Sequence, residues 1–505
     1  MTTLPHDRRR ARRHLAAGRA GLRRFAAVQR RRLRERLVEA RANRLIGPVL
    51  AIAGGTAAAQ ALVFGTRPVL TRLYDPEAWG VFTLFVTVVS FASAVSSGGY
   101  RFAILLPARD DEAAGVLRLS LLGALASGSV AALVVSVGVA LGALPTLWLW
   151  LPPVIVVLEA ALTSETWLTR SDRFAPVSAS RMAQQAVAVG VHLAAGLAGL
   201  AAGVGGARWL VGGTAAGYGV AFGVVGTWLW TRARPGRATA LAPLARRYVR
   251  FPLYSAPAAL LNLASTRLPV FVLAAVAGEA AVGQFGIAFG ALALPLGLVT
   301  GSVGQVFFVR AAEAARAGRL APLTRDVLRG LLGVTVFPCL AVVAAGPTLF
   351  AFVFGDVWAT AGAYAQVLAP WTLAASVAAP LTVLFDVLER QRADLGFSVA
   401  MAAGTGAALV AAAGGGAVAV VAAGSTAGTL LRLGHVGWML RIAHVPAGGV
   451  LRDALSVAAS AVPLAAVVWG VDRAGLGGPA VLAATLAGGL VTLVLAARAR
   501  RAWDR

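Results

Sequence analysis

From Leu45 onward the chain alternates apolar runs with short polar or Gly/Pro-rich breaks. The runs are about 20 residues long, the length a helix needs to cross a bilayer. The pattern predicts fourteen membrane helices, near 45–66, 79–97, 116–142, 146–166, 179–200, 209–231, 251–276, 282–307, 330–346, 364–386, 395–413, 416–438, 454–471 and 478–497. Two of the divisions, at Pro145 and at Gly414 to Gly416, rest only on residues that can break a helix without a full loop. The expected fold class is therefore an all-α integral membrane protein.

Residues 1–44 break this pattern. They carry 15 Arg against Asp7, Glu35 and Glu39, with no apolar run long enough for a signal peptide. They read as a basic tail, retained in the mature protein. Leu15, Leu22, Phe25, Leu33 and Leu37 recur at loosely helical intervals, as in a helix lying on an anionic leaflet. A solvated arm is the alternative, because Ala and Arg supply little apolar area.

Composition agrees with the pattern. Of 505 residues 58% are hydrophobic and 13% charged, and the mean hydropathy is +0.76. Ordinary soluble domains carry roughly 25% charge, so a soluble multidomain enzyme is excluded. All 46 basic residues are Arg. Without Lys there is no Walker A phosphate loop and no Schiff-base chemistry. Cys339 stands alone, and His6, His14, His192, His435 and His444 show no metal-ligand spacing. No catalytic residue, metal or cofactor is expected, and no nucleic-acid partner.

Arginine placement orients the helices. If the tail is cytoplasmic, the tail, the even-numbered loops and the C-terminus hold 38 Arg, and the other loops hold only Arg67, Arg72, Arg208 and Arg473. This positive-inside asymmetry places both termini in the cytoplasm.

A short repeat divides the chain. Arg67-Pro68-Val69 followed by Glu77-Ala78-Trp79-Gly80-Val81-Phe82 returns as Arg267-Leu268-Pro269-Val270 followed by Glu279-Ala280-Ala281-Val282-Gly283-Gln284-Phe285. Six helices lie between the copies, so both halves enter the membrane in the same sense, related by an axis along the membrane normal. The expected organisation is the tail (1–44), an N-terminal lobe (45–240), a C-terminal lobe (241–445) facing it across a central cleft, and two added helices with the C-terminus (446–505).

Three blocks of residues resemble a known family. LTRLYDPEAWGVFTLFVTVVSFASAVSSGGYRFAILLP, from Leu70 to Pro107, is similar to the opening of bacterial polysaccharide flippases of the Wzx type. The resemblance continues from Phe251 to Ala312 and from Phe354 to Trp371. It implies membership of the superfamily that also holds multidrug/cation antiporters and lipid II flippases, with two six-helix lobes, often with two added helices. It further implies translocation of an undecaprenyl-pyrophosphate-linked oligosaccharide across the cell membrane, with membrane lipids and the polymerase and glycosyltransferases of surface polysaccharide synthesis, O-antigen or capsule, as partners. The long Arg-rich tail departs from the family pattern, and so does Arg101, which stands where an acidic residue is expected.

Such a cargo directs attention to polar residues inside helices. Arg binds phosphate oxygens through a planar fork that stays charged. Arg267, beside Pro269 and near Asn262, is expected to line the cleft, and Arg67 to be its repeat-related partner in a pyrophosphate clamp. Interface snorkelling is the rival reading for both, the stronger one at Arg67. Arg72 reads as a surface charge near Asp75 and Glu77. Glu159 is the candidate coupling acid, with a structural pair to a neighbouring Arg as the alternative, which is favoured for Glu165. Gln184 and Gln185 could bind sugar hydroxyls, or simply join helices. The tryptophans, Trp371 among them, read mostly as an interfacial belt.

Other functions remain open on the residues alone. A multidrug or sodium-coupled antiporter would want a net acidic cleft, whereas Arg267 and Arg432 against Glu159 tilt the balance towards an anion. A membrane glycosyltransferase or polymerase would need an acidic pair on a sizeable loop, which the chain lacks. A non-transporting scaffold of a polysaccharide assembly complex is the third alternative.

Overall fold

The computed structural model describes residues 46–202, 206–236, 240–388 and 390–503, so the expectations for the basic tail lie outside the described residues. About 90% of the described residues are helical, with no strand among them. The main helices are α1 (Ile46–Leu73), α2 (Pro76–Ser96), α3 (Asp110–Ala140), α4 (Leu151–Arg170), α5 (Phe174–Ala202) and α6 (Ala207–Arg232). They continue as α7 (256–277), α8 (279–316), α9 (Leu320–Phe354), α10 (Ala359–Leu381), α11 (Gln391–Ala411), α12 (Gly416–Ile442), α13 (Ala447–Arg473) and α14 (Gly478–Trp503). Twelve helical segments of the described chain are long and apolar enough to cross a membrane. That number takes α7 and α8 as one run and omits the 28-residue α1, so each of the fourteen expected runs coincides with a helix. The chain is an all-α integral membrane protein.

The break between α7 and α8 is a single residue. Gly278 has φ 78° and ψ −177°, and Gly416, which opens α12, has the same angles. That region is essentially closed to any residue with a Cβ. Arg267 and Phe289 lie eleven residues on either side of Gly278 and are in contact. A straight helix would hold them roughly 33 Å apart, so the glycine makes a hairpin.

Several helices exceed their apolar runs. α1 continues through Pro68 to Leu73, and α9 starts at Leu320, ahead of the apolar run at 330–346, and is broken at Ala345, where φ is −145° and ψ 31°. Hydropathy sees only the stretch that contacts lipid, whereas tertiary contacts hold the polar turns beyond it. At the end of α1, Trp358 donates its indole N–H to the Thr71 carbonyl at 2.8 Å, and Arg72 donates to the carbonyls of Phe352 and Val353 at 2.9 and 2.7 Å. Arg72 thus caps the C-terminus of α9, where carbonyls lack helical partners, instead of pairing with Asp75 or Glu77.

Helices α1 to α6 pack mainly among themselves, α5 against α1 and α6, and α4 against α3 and α6. In the second half α10 packs on α9 and α12, and α11 on α12, with α13 and α14 laid against α9. The main bridge between the halves is α2 against α8. Asp75 starts α2 by accepting the Ala78 N–H at 2.7 Å, with Pro76 at the first helical position. The two copies of the sequence repeat then meet each other. A methyl built on Gly80 would overlap the Glu279 carbonyl, and one built on Gly283 would overlap the Pro76 carbonyl. Each glycine therefore faces the carbonyl four residues before the other glycine, the reciprocity a two-fold contact has. One turn further Gly286 faces Thr83, its equivalent at the same offset. Trp79 and Trp358 close the same end, their rings edge to face at 6.3 Å.

Candidate functional site

Arg67 and Arg267 reach consecutive residues of α8. The Arg67 guanidinium occupies the space a side chain at Gly290 would need. Arg67 is thus inside α1 and packed against another helix, not in a loop or at an interface. Arg267 lies over the Phe289 ring, 5.3 Å from its centre. Phe289 packs on Trp371 of α10 with ring centres 5.3 Å apart, and Arg432 of α12 covers Trp371 at 4.8 Å. Four helices thereby contribute a row of guanidinium, ring, ring and guanidinium, with Arg67 beside it. Contacts of this kind contribute about 0.5–2 kcal/mol each. Trp371 is accordingly part of the row and not of an interfacial belt, because it sits in the middle of α10.

The cluster is electrostatically one-sided. Arg67 Nη1 is buried without a hydrogen-bond partner among the described residues. No carboxylate lies within ion-pair distance of Arg67, Arg267 or Arg432 among the described residues. Leaving a buried donor unmade costs about 1–3 kcal/mol, and burying unpaired cations costs more. Adjoining the two rings is a cavity of about 20 Å³ with Ser265, Thr405 and Ser425 in its wall, room for one water-sized group.

The buried glutamates behave differently. Glu159 is fully buried on α4 and accepts from Arg101 at 3.1 and 3.2 Å and from Ser93 at 3.0 Å. Glu165 accepts from Ser180 at 2.8 Å and from Arg181 at 3.2 and 3.3 Å. Each therefore has the arginine partner that the sequence left as one of its two options. Gly98 and Gly99, with φ 56° and 72°, turn the chain after α2 so that Arg101 reaches Glu159. The arginine that departs from the family pattern is matched by an acid 58 residues away, a complementarity that only the packing of α4 reveals.

The remaining candidates stand apart. Asn262 is exposed and five residues before Arg267 on α7, about 140° around the helix. Gln184 and Gln185 are half-buried on α5, which packs mainly on α1 and α6. Sequence reading gave Arg432 little weight and missed Phe289. An arginine inside an apolar run was the available signal for the first, and the second is one phenylalanine among 20.

Comparison with known proteins places this geometry. No curated protein sequence matches the chain. Residues 69–363 match the family model described as polysaccharide biosynthesis protein. Among solved structures, the lipid II flippase MurJ in an inward closed conformation superposes with a TM-score of 0.72 at 14% identity, over 90% of this chain and 100% of that one. An inward-facing multidrug resistance MATE family transporter of the MOP superfamily gives 0.58 at 13% identity, over 78% and 98%. A MOP superfamily transporter from Pyrococcus furiosus, noted for the reverse polarity of its binding pocket, gives 0.53 at 11%, over 79% and 95%. At these identities the structural likeness establishes the fold, and the family match covers more than half of the sequence. The chain belongs to the polysaccharide biosynthesis protein family and has the fold of the MOP superfamily.

Proposed function

We propose that the protein is a flippase that moves an undecaprenyl-pyrophosphate-linked oligosaccharide across the cell membrane for surface polysaccharide synthesis, by alternating access. The observation that carries this reading is the set of three membrane-embedded arginines, Arg67, Arg267 and Arg432, without acidic partners among the described residues, while Glu159 and Glu165 are each neutralised. A site with a net charge of three cations binds an anion. A diphosphate supplies acceptors for the Arg67 donors, and the Phe289 and Trp371 faces suit the sugar or prenyl portions. A cation-transporting antiporter is disfavoured by the same balance, since no acid is free at the cluster among the described residues.

In this reading residues 45–240 and 241–445 are the two lobes, and the Arg-rich even-numbered loops face the cytoplasm. The α2–α8 crossing, with Arg72 and Trp358 beside it, then seals the outer side, so cargo from the cytoplasmic leaflet meets a closed far end. Both clamp arginines contact α8, Arg67 at Gly290 and Arg267 at Phe289. Export would require α2 and α8 to part while the anion stays with the α8 cluster. The test is export of lipid-linked glycan by Arg267→Lys and Arg267→Ala at matched protein levels. Both should lose at least about tenfold, because Lys keeps the charge but not the fork. Normal export by both variants refutes the clamp.

A further inference from the structure

Three elements meet around His435, close to the end of α12. The imidazole is buried and stacked between Phe385 and Phe397, with ring centres at 5.2 and 4.5 Å and planes within 18° and 24°. Trp438, one turn further along α12, touches the same two phenylalanines at 5.1 Å. Phe385 belongs to the short helix Val383–Val387 that follows α10, and Phe397 to α11. His435 Nε2 has no hydrogen-bond partner among the described residues and lies 3.9 Å from Oδ1 of Asp394, in the first turn of α11. The Asp394 side chain is 45% exposed, so it connects the buried ring to the surface.

The ring has neighbours of both kinds, some that favour a proton on it and Arg432, which opposes one. Two aromatic faces present negative quadrupoles to an imidazolium, and the carboxylate adds an opposite charge. The other charged groups described on these elements near the ring are Asp386 on the short helix and Arg432 one turn earlier on α12. Helices α8 and α9 contribute apolar side chains to this cluster, Phe307 and Leu328 among them. His435 is therefore 3.9 Å from a carboxylate open to water and one helical turn from Arg432, whose guanidinium covers Trp371.

We propose that His435 is a proton-binding site linked to the arginine cluster, so that an anion at Arg432 and a proton on His435 Nε2 bind together. The inference rests on the anion-binding reading of that cluster. The anion neutralises Arg432, leaving Asp394 and the two ring faces to hold the imidazolium. By thermodynamic reciprocity the proton favours the anion by the same factor. The proton comes from water through Asp394 and no other bond changes.

The test uses the full chain in nanodiscs with farnesyl diphosphate as the probe, titrated calorimetrically near neutral pH in two buffers of different ionisation enthalpy. The native protein should take up more protons per bound probe than His435→Gln. The variant should also bind with a pH dependence weaker by roughly thirtyfold, the middle of the usual coupling range. Asp394→Asn, at a part-exposed position that tolerates change, should lower proton uptake as well. A purely structural His435 would reduce the yield of folded protein and leave the proton count of the folded fraction unchanged. Equal proton counts in the native protein and both variants overturn the linkage alone. Absence of probe binding to the native protein at every pH overturns the anion reading and the linkage with it.

Discussion

Replacing Gly80 with Ala places one methyl at the α2–α8 crossing. Carbon and oxygen need about 3.3 Å between them, and the new Cβ would lie more than about 1 Å inside that limit from the Glu279 carbonyl. The obstacle is backbone on both sides, so no rotamer change relieves it and the helices must separate. Overpacking of this kind costs about 1–3 kcal/mol, which shifts an equilibrium between closed and parted helices about 5- to 150-fold. Helix propensity acts in the opposite direction, since Ala in place of Gly favours a helix by about 1 kcal/mol. Gly65→Ala on α1, where a methyl meets open space, isolates that opposing effect and should be neutral or stabilising. The closed state can be read by cross-linking Glu77→Cys with Glu279→Cys, using a short bifunctional thiol reagent in a Cys339→Ala background. Gly80→Ala and Gly283→Ala should each slow cross-linking at least about fivefold, and the pair should fall short of additivity because both act on one contact. Cross-linking in Gly80→Ala as fast as in Gly65→Ala would show that the crossing is not a tight closure, and the gate argument would fail.

Three further outcomes follow from the charges and the topology. Arg101→Ala strands Glu159 as an uncompensated buried carboxylate and should cost about 3–5 kcal/mol in unfolding measurements, whereas Arg101→Ala combined with Glu159→Gln should recover most of it; equal losses would deny the pair. Glu159→Gln alone should reduce transport only if this carboxylate couples it to an ion, and unchanged export at matched expression assigns the residue to structure. Cysteine at Leu476 should react with an impermeant thiol reagent from outside the cell and cysteine at Gly236 should not, and the reverse labelling would invert the orientation.

The succession of apolar runs determined the fold class and the position of every long helix, because lipid contact requires about 20 apolar residues whatever the neighbours are. Arginine counts set an expected orientation for a similarly local reason. The short repeat identified Gly80 and Gly283 as equivalent, yet nothing in either copy says that the two glycines touch each other. Contacts between residues about 200 apart depend on how helices cross, and hydropathy is indifferent to that. The same holds for charge. Arg67, Arg101, Arg181, Arg267 and Arg432 are alike in the sequence, each an arginine in or beside an apolar run. Packing divides them. Two are brought to Glu159 and Glu165 and are neutralised, and three are brought to the aromatic row of α8 and α10 with no acid in reach among the described residues. The cost of a buried charge depends on partners within a few ångströms, and those distances exist only in the folded protein.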